Sequence, residues 1–122
     1  MMPLILIIET NILNQELTQD LLEKEGFDVR FASDVRSALS MLVKIRPDLI
    51  LTSLVLPKID GFTLAQILKN DEDTDDITVV AFTDFRGNDD HEKIIRSGFD
   101  GYISLPLEKK VFPKQLNFFL SK

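Results

Sequence analysis

Residues 46–62 read Arg-Pro-Asp-Leu-Ile-Leu-Thr-Ser-Leu-Val-Leu-Pro-Lys-Ile-Asp-Gly-Phe, and this stretch decides the fold. Its apolar run, Leu49–Thr52, has the length of a strand rather than of a helix. The run is almost entirely apolar, as strands covered on both faces of a sheet tend to be. An amphipathic segment follows, from about Phe62 to Lys69, and predicts a helix. The stretch therefore indicates one strand, a loop and one helix.

The same unit recurs along the rest of the chain. Four further apolar runs predict strands: Leu4–Ile8, Asp28–Phe31, Ile77–Phe82 and Gly101–Ser104. Helices are predicted between and after them, with inward apolar stripes at Ile12, Leu13, Leu17, Leu21 and Leu22; at Val35, Ala38, Leu39, Leu42 and Val43; at Ile94 and Ile95; and at Phe112, Leu116, Phe119 and Leu120. Five strands alternating with five helices predict an α/β protein whose parallel sheet has one of the two common doubly wound orders.

Polar residues and glycines mark the ends of the predicted helices. Asn11 is the expected N-cap of the first helix, and Ser33-Asp34 opens the second. Gly26 and Gly98 follow the first and fourth helices as C-terminal signals. Pro113 lies at the beginning of the last helix, so a late or distorted start is expected there.

A small group of residues stands at the carboxyl ends of the predicted strands. In both doubly wound orders, function lies outside these ends, at the point where the strand order reverses. The residues to consider are Glu9 and Thr10 after the first strand, Ser53 after the third, Thr83 after the fourth and Leu105 after the fifth.

Composition and charge limit the classes of function. The 122 residues suffice for one domain, residues 1–122, with a single core. The formal net charge of −6 repels phosphate backbones, so nucleic acid is not an expected partner. The longest apolar run, Pro3–Ile8, is far shorter than the roughly 18 residues that span a membrane. Cysteine is absent, which excludes disulfides and thiolate metal sites and favours a cytoplasmic location.

Several fragments together carry a family resemblance that extends over almost the whole chain. They are Leu-Ile-Leu-Ile-Ile-Glu-Thr-Asn (4–11), the stretch 46–62 with its Pro57 and Asp60-Gly61, Val-Val-Ala-Phe-Thr (79–83), and Gly-Tyr-Ile-Ser-Leu-Pro (101–106). In this order and spacing they resemble the receiver domain of response regulators, the CheY-like family of two-component signalling. The resemblance implies the flavodoxin-like strand order 2-1-3-4-5 and a cis peptide bond before Pro106. It also implies that Thr83 and Tyr102 occupy the family's two switch positions.

The residues that carry phosphorylation in that family are replaced here. The resemblance puts the phospho-accepting aspartate at Ser53 and the conserved lysine at Leu105. It puts the Mg²⁺ ligands at Thr10, Ser53 and the backbone carbonyl of Val55, so that Glu9 is the remaining acidic residue. Because Mg²⁺ in proteins is usually anchored by one or two carboxylates, we expect no metal and no other cofactor. The resemblance thus implies a degenerate phosphorylation site.

Hydrogen bonds are expected to replace the lost charges at this site. Glu9, Thr10, Ser53 and Thr83 can satisfy one another once the acids and the lysine are removed together. We expect a receiver that is not phosphorylated, a pseudo-receiver, which is not an enzyme and acts as a protein–protein interaction module. Its expected partner is a protein: a histidine kinase, another regulator or a scaffold.

Aromatic residues near the end of the chain indicate the surface that meets this partner. The expected face is formed by the fourth helix, the fifth strand and the fifth helix, and it also suits a homodimer. Tyr102, Phe118 and Phe119 are the candidate contacts. Adjacent Phe118 and Phe119 cannot both face the core of one helix, so at least one is expected to be exposed. The alternative is that Pro113 changes the phase of the helix and both pack in part.

Other interpretations remain open at this point. The domain could accept phosphate on Ser53 or Thr52, or it could be the receiver part of a longer regulator. A flavin or small-molecule module is less favoured, because the loop at residues 9–13 has no glycine to approach a phosphate. Thr83 and Tyr102 could retain a switch or serve packing alone. His91 and the acidic run 71–76 are expected to be solvated.

Overall fold

Strands and helices alternate strictly along the chain. The computed structural model describes residues 2–84 and 88–121, and within them five strands and five helices are present. The strands are β1 (Leu4–Ile8), β2 (Asp28–Ala32), β3 (Leu49–Ser53), β4 (Thr78–Thr83) and β5 (Gly101–Ser104). The helices are α1 (Ile12–Lys24), α2 (Val35–Leu42), α3 (Gly61–Lys69), α4 (Asn88–Arg96) and α5 (Phe112–Leu120). Each predicted element is present, and its ends differ from the prediction by single residues at most places.

All strand pairs are parallel, and the sheet has the order β2-β1-β3-β4-β5. The flavodoxin-like order implied by the family resemblance is therefore confirmed. The order reverses between β1 and β3, where Ile8 lies beside Thr52. A crevice opens outside the carboxyl ends of these two strands, as expected at a topological switch point.

The sheet separates two apolar layers, because successive side chains of a strand point to opposite faces. Leu6 and Ile50 face a layer completed by α2, α3 and α4. Ile5 and Leu51 face the other layer, which is completed by α1 and α5. Both faces of the central strands are thus covered, which explains their nearly continuous apolar sequences.

The helix starts follow the predicted capping pattern. The side chains of Asn11, Asp34 and Asp60 accept hydrogen bonds from backbone N–H groups at 3.0, 2.8 and 2.8 Å, respectively. Helix α5 has no side-chain cap at Val111, and Pro113 lies in its first turn, which agrees with the expected irregular start. Gly26 has a φ of 89°, a conformation in which glycine is favoured.

Some residues of the predicted apolar stripes are exposed. Ile12, Leu13 and Leu17 are 67%, 75% and 41% exposed, because α1 turns Thr18, Leu21 and Leu22 toward the sheet instead. Val43 is the C-cap of α2 and is 85% exposed. Ile95 is half exposed, since only its neighbour Ile94 points into the core. The inward prediction is therefore wrong for these side chains, which leaves apolar groups on the surface.

No helix within residues 2–84 and 88–121 combines the length and the apolar character needed to cross a membrane.

Candidate functional site

A cavity of about 240 Å³ lies at the carboxyl edge of the sheet, beside the switch point. It is built where β1, β3, β4 and β5 end. Four residues predicted from these ends line it together: Glu9, Ser53, Thr83 and Leu105. The remaining lining residues are Leu54, Val55, Phe82 and Asp84. The structure thus brings together four of the five residues predicted from the strand ends; the fifth, Thr10, does not line the cavity.

Glu9 is the centre of the hydrogen bonding in this cavity. Its side chain is only 5% exposed, and a carboxylate at that burial requires donors. The Ser53 hydroxyl donates to its Oε2, and the Asn14 amide donates to its Oε1 at 2.7 Å. The side-chain amide of Gln15 donates to the backbone carbonyl of Glu9. Both carboxylate oxygens are satisfied, and the expected hydrogen bond between Glu9 and Ser53 is present.

Thr10 is the exception, because it turns away from the cavity. It is exposed, and its hydroxyl donates to the Ser33 carbonyl at 3.0 Å, beside the start of α2. The expected hydrogen bonding of Thr10 with Glu9 and Ser53 is therefore wrong. Asn14, in the first turn of α1, supplies that hydrogen bond instead. The Asn14 N–H donates to the side chain of the N-cap residue Asn11. The sequence indicates this cap, and with it the start of α1, but it does not indicate where the side-chain amide of Asn14 points.

The backbone around Ser53 is held tightly by the start of α3. A Cβ atom on Gly61 would lie 2.4 Å from the Ser53 carbonyl oxygen and 2.9 Å from the Leu54 Cα. Only glycine fits this approach without displacement of the backbone. The Gly61 N–H donates to the Leu54 carbonyl at 2.8 Å.

Thr52, the neighbour of Ser53 in the strand, is fully buried, and its hydroxyl donates to the Ser53 carbonyl at 2.9 Å.

Leu105 closes the cavity with an apolar side chain. It is half-buried against the core layer of α1 and α5, and its N–H donates to the Thr83 carbonyl at 2.8 Å. The Leu105–Pro106 peptide bond is cis, as the resemblance implied.

Two acidic residues line the cavity, whereas the sequence indicated only Glu9. The second is Asp84, which follows Thr83 at the end of β4 and is exposed. The lining residues of the described chain include no lysine or arginine. In the same part of the chain, no three acidic, histidine or cysteine side chains are grouped so that they could hold a metal ion. The cavity is therefore a negatively charged pocket in which one hydroxyl is already hydrogen-bonded to a carboxylate.

A second feature lies on the face formed by α4 and β5. The His91 and Tyr102 rings stack with centroids 4.2 Å apart and an angle of 20° between their planes. The Tyr102 hydroxyl lies 3.2 Å from Nδ1 of His91. These rings, with Glu92, Ile95 and Arg96, line a surface cavity of about 410 Å³. The expectation that His91 belongs only to a solvated face is wrong, because α4 places it over Tyr102.

The two adjacent phenylalanines of α5 have different surroundings. Phe119 is 9% exposed, and its ring lies so close to Gly101 that a Cβ atom there would approach within 2.3 Å. Phe118 is 58% exposed, with its ring edge-on to Phe119 at 5.4 Å. The prediction that at least one is exposed is confirmed, and partial packing of both is wrong. Phe119 is a core residue, so of this pair only Phe118 offers an exposed ring.

Comparison with known proteins gives consistent relatives. A family model of the response regulator receiver domain matches residues 5–117. The polar-differentiation response regulator DivK of Brucella anthropi is 34% identical over 116 residues, which cover 95% of this chain and 94% of DivK. The DNA-binding dual master transcriptional regulator RpaA of Synechocystis sp. is 39% identical over 107 residues, which cover 88% of this chain and 44% of RpaA. The signal receiver domain of a histidine kinase from Syntrophus aciditrophicus has a TM-score of 0.89 at 28% identity, covering 98% of this chain and 90% of that domain.

Proposed function

This chain belongs to the response regulator receiver domain family of two-component signalling, and we propose that it is a receiver that is not phosphorylated and that acts by binding other proteins. The observation that carries the proposal is the hydrogen bond from the Ser53 hydroxyl to the buried Glu9 carboxylate. Ser53 stands where the family has its phospho-accepting aspartate.

In the described part of the chain, the cavity around Ser53 lacks groups that phosphoryl transfer requires. A serine hydroxyl is un-ionised near neutral pH and needs a base to become a nucleophile. Transfer of a phosphoryl group also needs cations that stabilise the charge on its oxygens. The charged groups of the cavity lining are the carboxylates of Glu9 and Asp84, which repel an incoming phosphoryl group instead.

Magnesium, the metal that the family implies, does not fit the donors around Ser53. The Glu9 carboxylate already accepts hydrogen bonds at both oxygens, and the Ser53 hydroxyl uses its proton on one of them. The Thr10 side chain is directed to Ser33. A hard divalent cation prefers oxygen ligands with anionic charge, and of the two carboxylates that line the cavity, the one bonded to Ser53, Glu9, would have to give up two donors to become a ligand. We therefore derive no step that uses Mg²⁺.

One observation favours a second candidate, phosphorylation of Ser53 itself. The Glu9 carboxylate accepts a hydrogen bond from the Ser53 hydroxyl, so it is placed to act as a base. A carboxylate is, however, a weak base toward an alcohol hydroxyl, which needs an effective base to become a nucleophile. Thr52 is a poorer acceptor still, because it is fully buried and its hydroxyl donates to a backbone carbonyl.

The proposed binding surface is the face of α4, β5 and α5. It carries the Tyr102–His91 stack beside half-exposed Ile95, and the exposed ring of Phe118 on α5 is a further proposed contact. Exposed aromatic and aliphatic groups beside one another are typical of protein interfaces. The proposed occupant is a histidine kinase, another regulator, a scaffold or a second copy of this chain.

Intact-mass measurement tests the proposal. The purified chain is incubated with acetyl phosphate and Mg²⁺, and separately with a phosphorylated histidine kinase. We expect no mass increase by one phosphoryl group. The positive control is the variant with Thr10→Asp, Ser53→Asp and Leu105→Lys, which restores the family's residues and is expected to gain that mass. A phosphoryl group on the unmodified chain, located at Ser53 by fragmentation, would support the second candidate instead.

A further inference from the structure

A groove runs between α2 and α3 on the side of the molecule away from the switch point. Its volume is about 620 Å³, and it lies near the ends of both helices that are remote from the Ser53 cavity. Leu39, Leu42 and Val43 form one wall, and Ile67 forms the other above buried Leu68. This set of residues is called the α2–α3 groove below.

The apolar residues of the α2–α3 groove are unusually open to solvent. Val43 is 85% exposed and Ile67 is 37% exposed, while Leu39 and Leu42 are half-buried against the core. On α2 these positions are three and four residues apart, so they present one continuous ridge. The ridge on α2 and the apolar residue on α3 are the two walls of a groove, and a third helix can pack between them.

The rim of the groove is acidic along one side. Asp71 and Asp73 line it, within a run of five acidic residues between 71 and 76. Of the two nearby cations that form ion pairs, Arg46 pairs with Asp76 and Lys69 pairs with Asp100. Among residues 2–84 and 88–121, no ion pair involves Asp71, Glu72 or Asp73. Arg46 lines the groove as well, but its ion pair is with Asp76, so Asp71, Glu72 and Asp73 leave a net negative charge on the rim.

The acidic rim is held in a fixed conformation. The Arg46 guanidinium donates to the Asp73 carbonyl at 2.8 Å, and the Thr74 hydroxyl donates to the Leu68 carbonyl at 2.7 Å. The Asp73 N–H donates to the Asp71 carboxylate at 2.9 Å. These bonds connect the loop to α3 and to the segment that follows α2, and they hold the backbone of the rim beside the apolar ridge.

We propose that the α2–α3 groove binds an amphipathic helix of a partner protein, with an apolar stripe in the groove and Lys or Arg side chains against Asp71 and Asp73. Charge complementarity selects this occupant, since the groove joins an apolar floor to the carboxylates of Asp71 and Asp73, and the arginine in its lining, Arg46, is paired with Asp76. An acidic helix, including acidic α1 of a second copy, is repelled. The surface is separate from the face of α4, β5 and α5, so the chain can hold two proteins at once.

Nuclear magnetic resonance with a defined peptide tests this inference. The probe is a synthetic helical peptide of Leu, Ala and Lys with leucines at positions i, i+3, i+4 and i+7, titrated into the ¹⁵N-labelled full chain. We expect amide shifts concentrated at Leu39, Val43, Ile67 and Asp73. The affinity is expected to fall at least tenfold when Glu replaces Lys in the peptide, and to weaken as salt is added.

A matched pair of variants separates the groove from the rest of the acidic surface. Val43→Glu is expected to reduce the affinity at least tenfold. Leu13→Glu, a similar change at a 75% exposed aliphatic residue of α1 outside both proposed binding surfaces, is expected to leave it within twofold. Equal effects of both variants, or shifts spread over all acidic helices, would overturn the inference. Neither result bears on whether Ser53 is phosphorylated, so this inference and the proposed function can fail independently.

Discussion

At the scale of single residues, the state of Glu9 sets the character of the cavity. Its carboxylate is almost completely buried, and two side chains from different elements, Ser53 and Asn14, donate to it. A buried acceptor that loses a donor retains its desolvation penalty without compensation. We therefore expect the hydrogen bond from Ser53 to stabilise the fold.

Substitution of Ser53 by alanine is expected to reduce the free energy of unfolding. The loss of one donor to Glu9 should cost about 1–3 kcal/mol. Urea denaturation monitored by circular dichroism measures the difference. Thr10→Ala is the matched control, since that hydroxyl bonds at an exposed site and its loss should cost less than about 1 kcal/mol. Equal stabilities of the unmodified chain and the Ser53 variant would show that this hydrogen bond has no structural role.

Asp34 gives a prediction about pH at the same scale. Hydrogen bonds from Ser37 hold the pKa of the Asp34 carboxyl below its ordinary value of 3.8. Because the folded pKa is the lower one, the stabilising contribution is complete above the ordinary pKa and is lost as the pH falls through the folded pKa. The difference in unfolding free energy between the unmodified chain and Asp34→Ala should therefore be largest near pH 7 and should shrink in acid. A constant difference across the titration would contradict the assignment.

At the scale of elements, helix α5 shows how two adjacent identical residues take different roles. Phe119→Ala removes a ring packed against Gly101 and should cost about 3–5 kcal/mol. Phe118→Ala removes a ring that is mostly exposed and should cost less than about 1 kcal/mol. Thermal or urea denaturation of both variants makes the comparison. A reversed order would mean that the phase of α5 differs from the structure described here.

The elements also show where sequence reasoning succeeds and where it fails. The strands and the group Glu9, Ser53, Thr83 and Leu105 could be predicted, because parallel strands bring their carboxyl ends to one edge. Thr10 could not be placed, since its direction depends on how the chain leaves β1. The contacts of Asn14 with Glu9 and of His91 with Tyr102 were not predicted. They depend on how each helix is rotated about its axis, and the pattern of apolar residues does not fix that rotation closely enough.

At the scale of the whole molecule, the fold presents one candidate site and two proposed binding surfaces. The Ser53 cavity, the face of α4, β5 and α5, and the α2–α3 groove share no residues that line them. The proposed binding surfaces depend on the packing of the helices and not on the chemistry of the Ser53 cavity. Variants of this cavity that fold normally are therefore expected to keep their affinity for partners.

That prediction can be checked with one variant of the cavity. The variant Leu105→Met conserves an apolar side chain at the closing position and should fold normally. Its affinity for any protein captured by the unmodified chain is expected to remain within twofold, measured by calorimetry. Tyr102→Ala is the contrasting variant, on the proposed binding face, and is expected to weaken binding at least tenfold. Strong weakening by Leu105→Met alone would assign partner binding to the cavity.

Titration of beryllofluoride with Mg²⁺ into the ¹⁵N-labelled chain tests the central claim most directly. Beryllofluoride imitates a phosphoryl group. Its binding requires the acceptor aspartate, the Mg²⁺ ion and the lysine of the family together. The amide resonances of Ser53 and Thr83 are predicted to stay in place, while those of the variant with Thr10→Asp, Ser53→Asp and Leu105→Lys are predicted to shift and saturate. Saturable shifts at Ser53 and Thr83 in the unmodified chain would contradict the claim that this receiver is not phosphorylated.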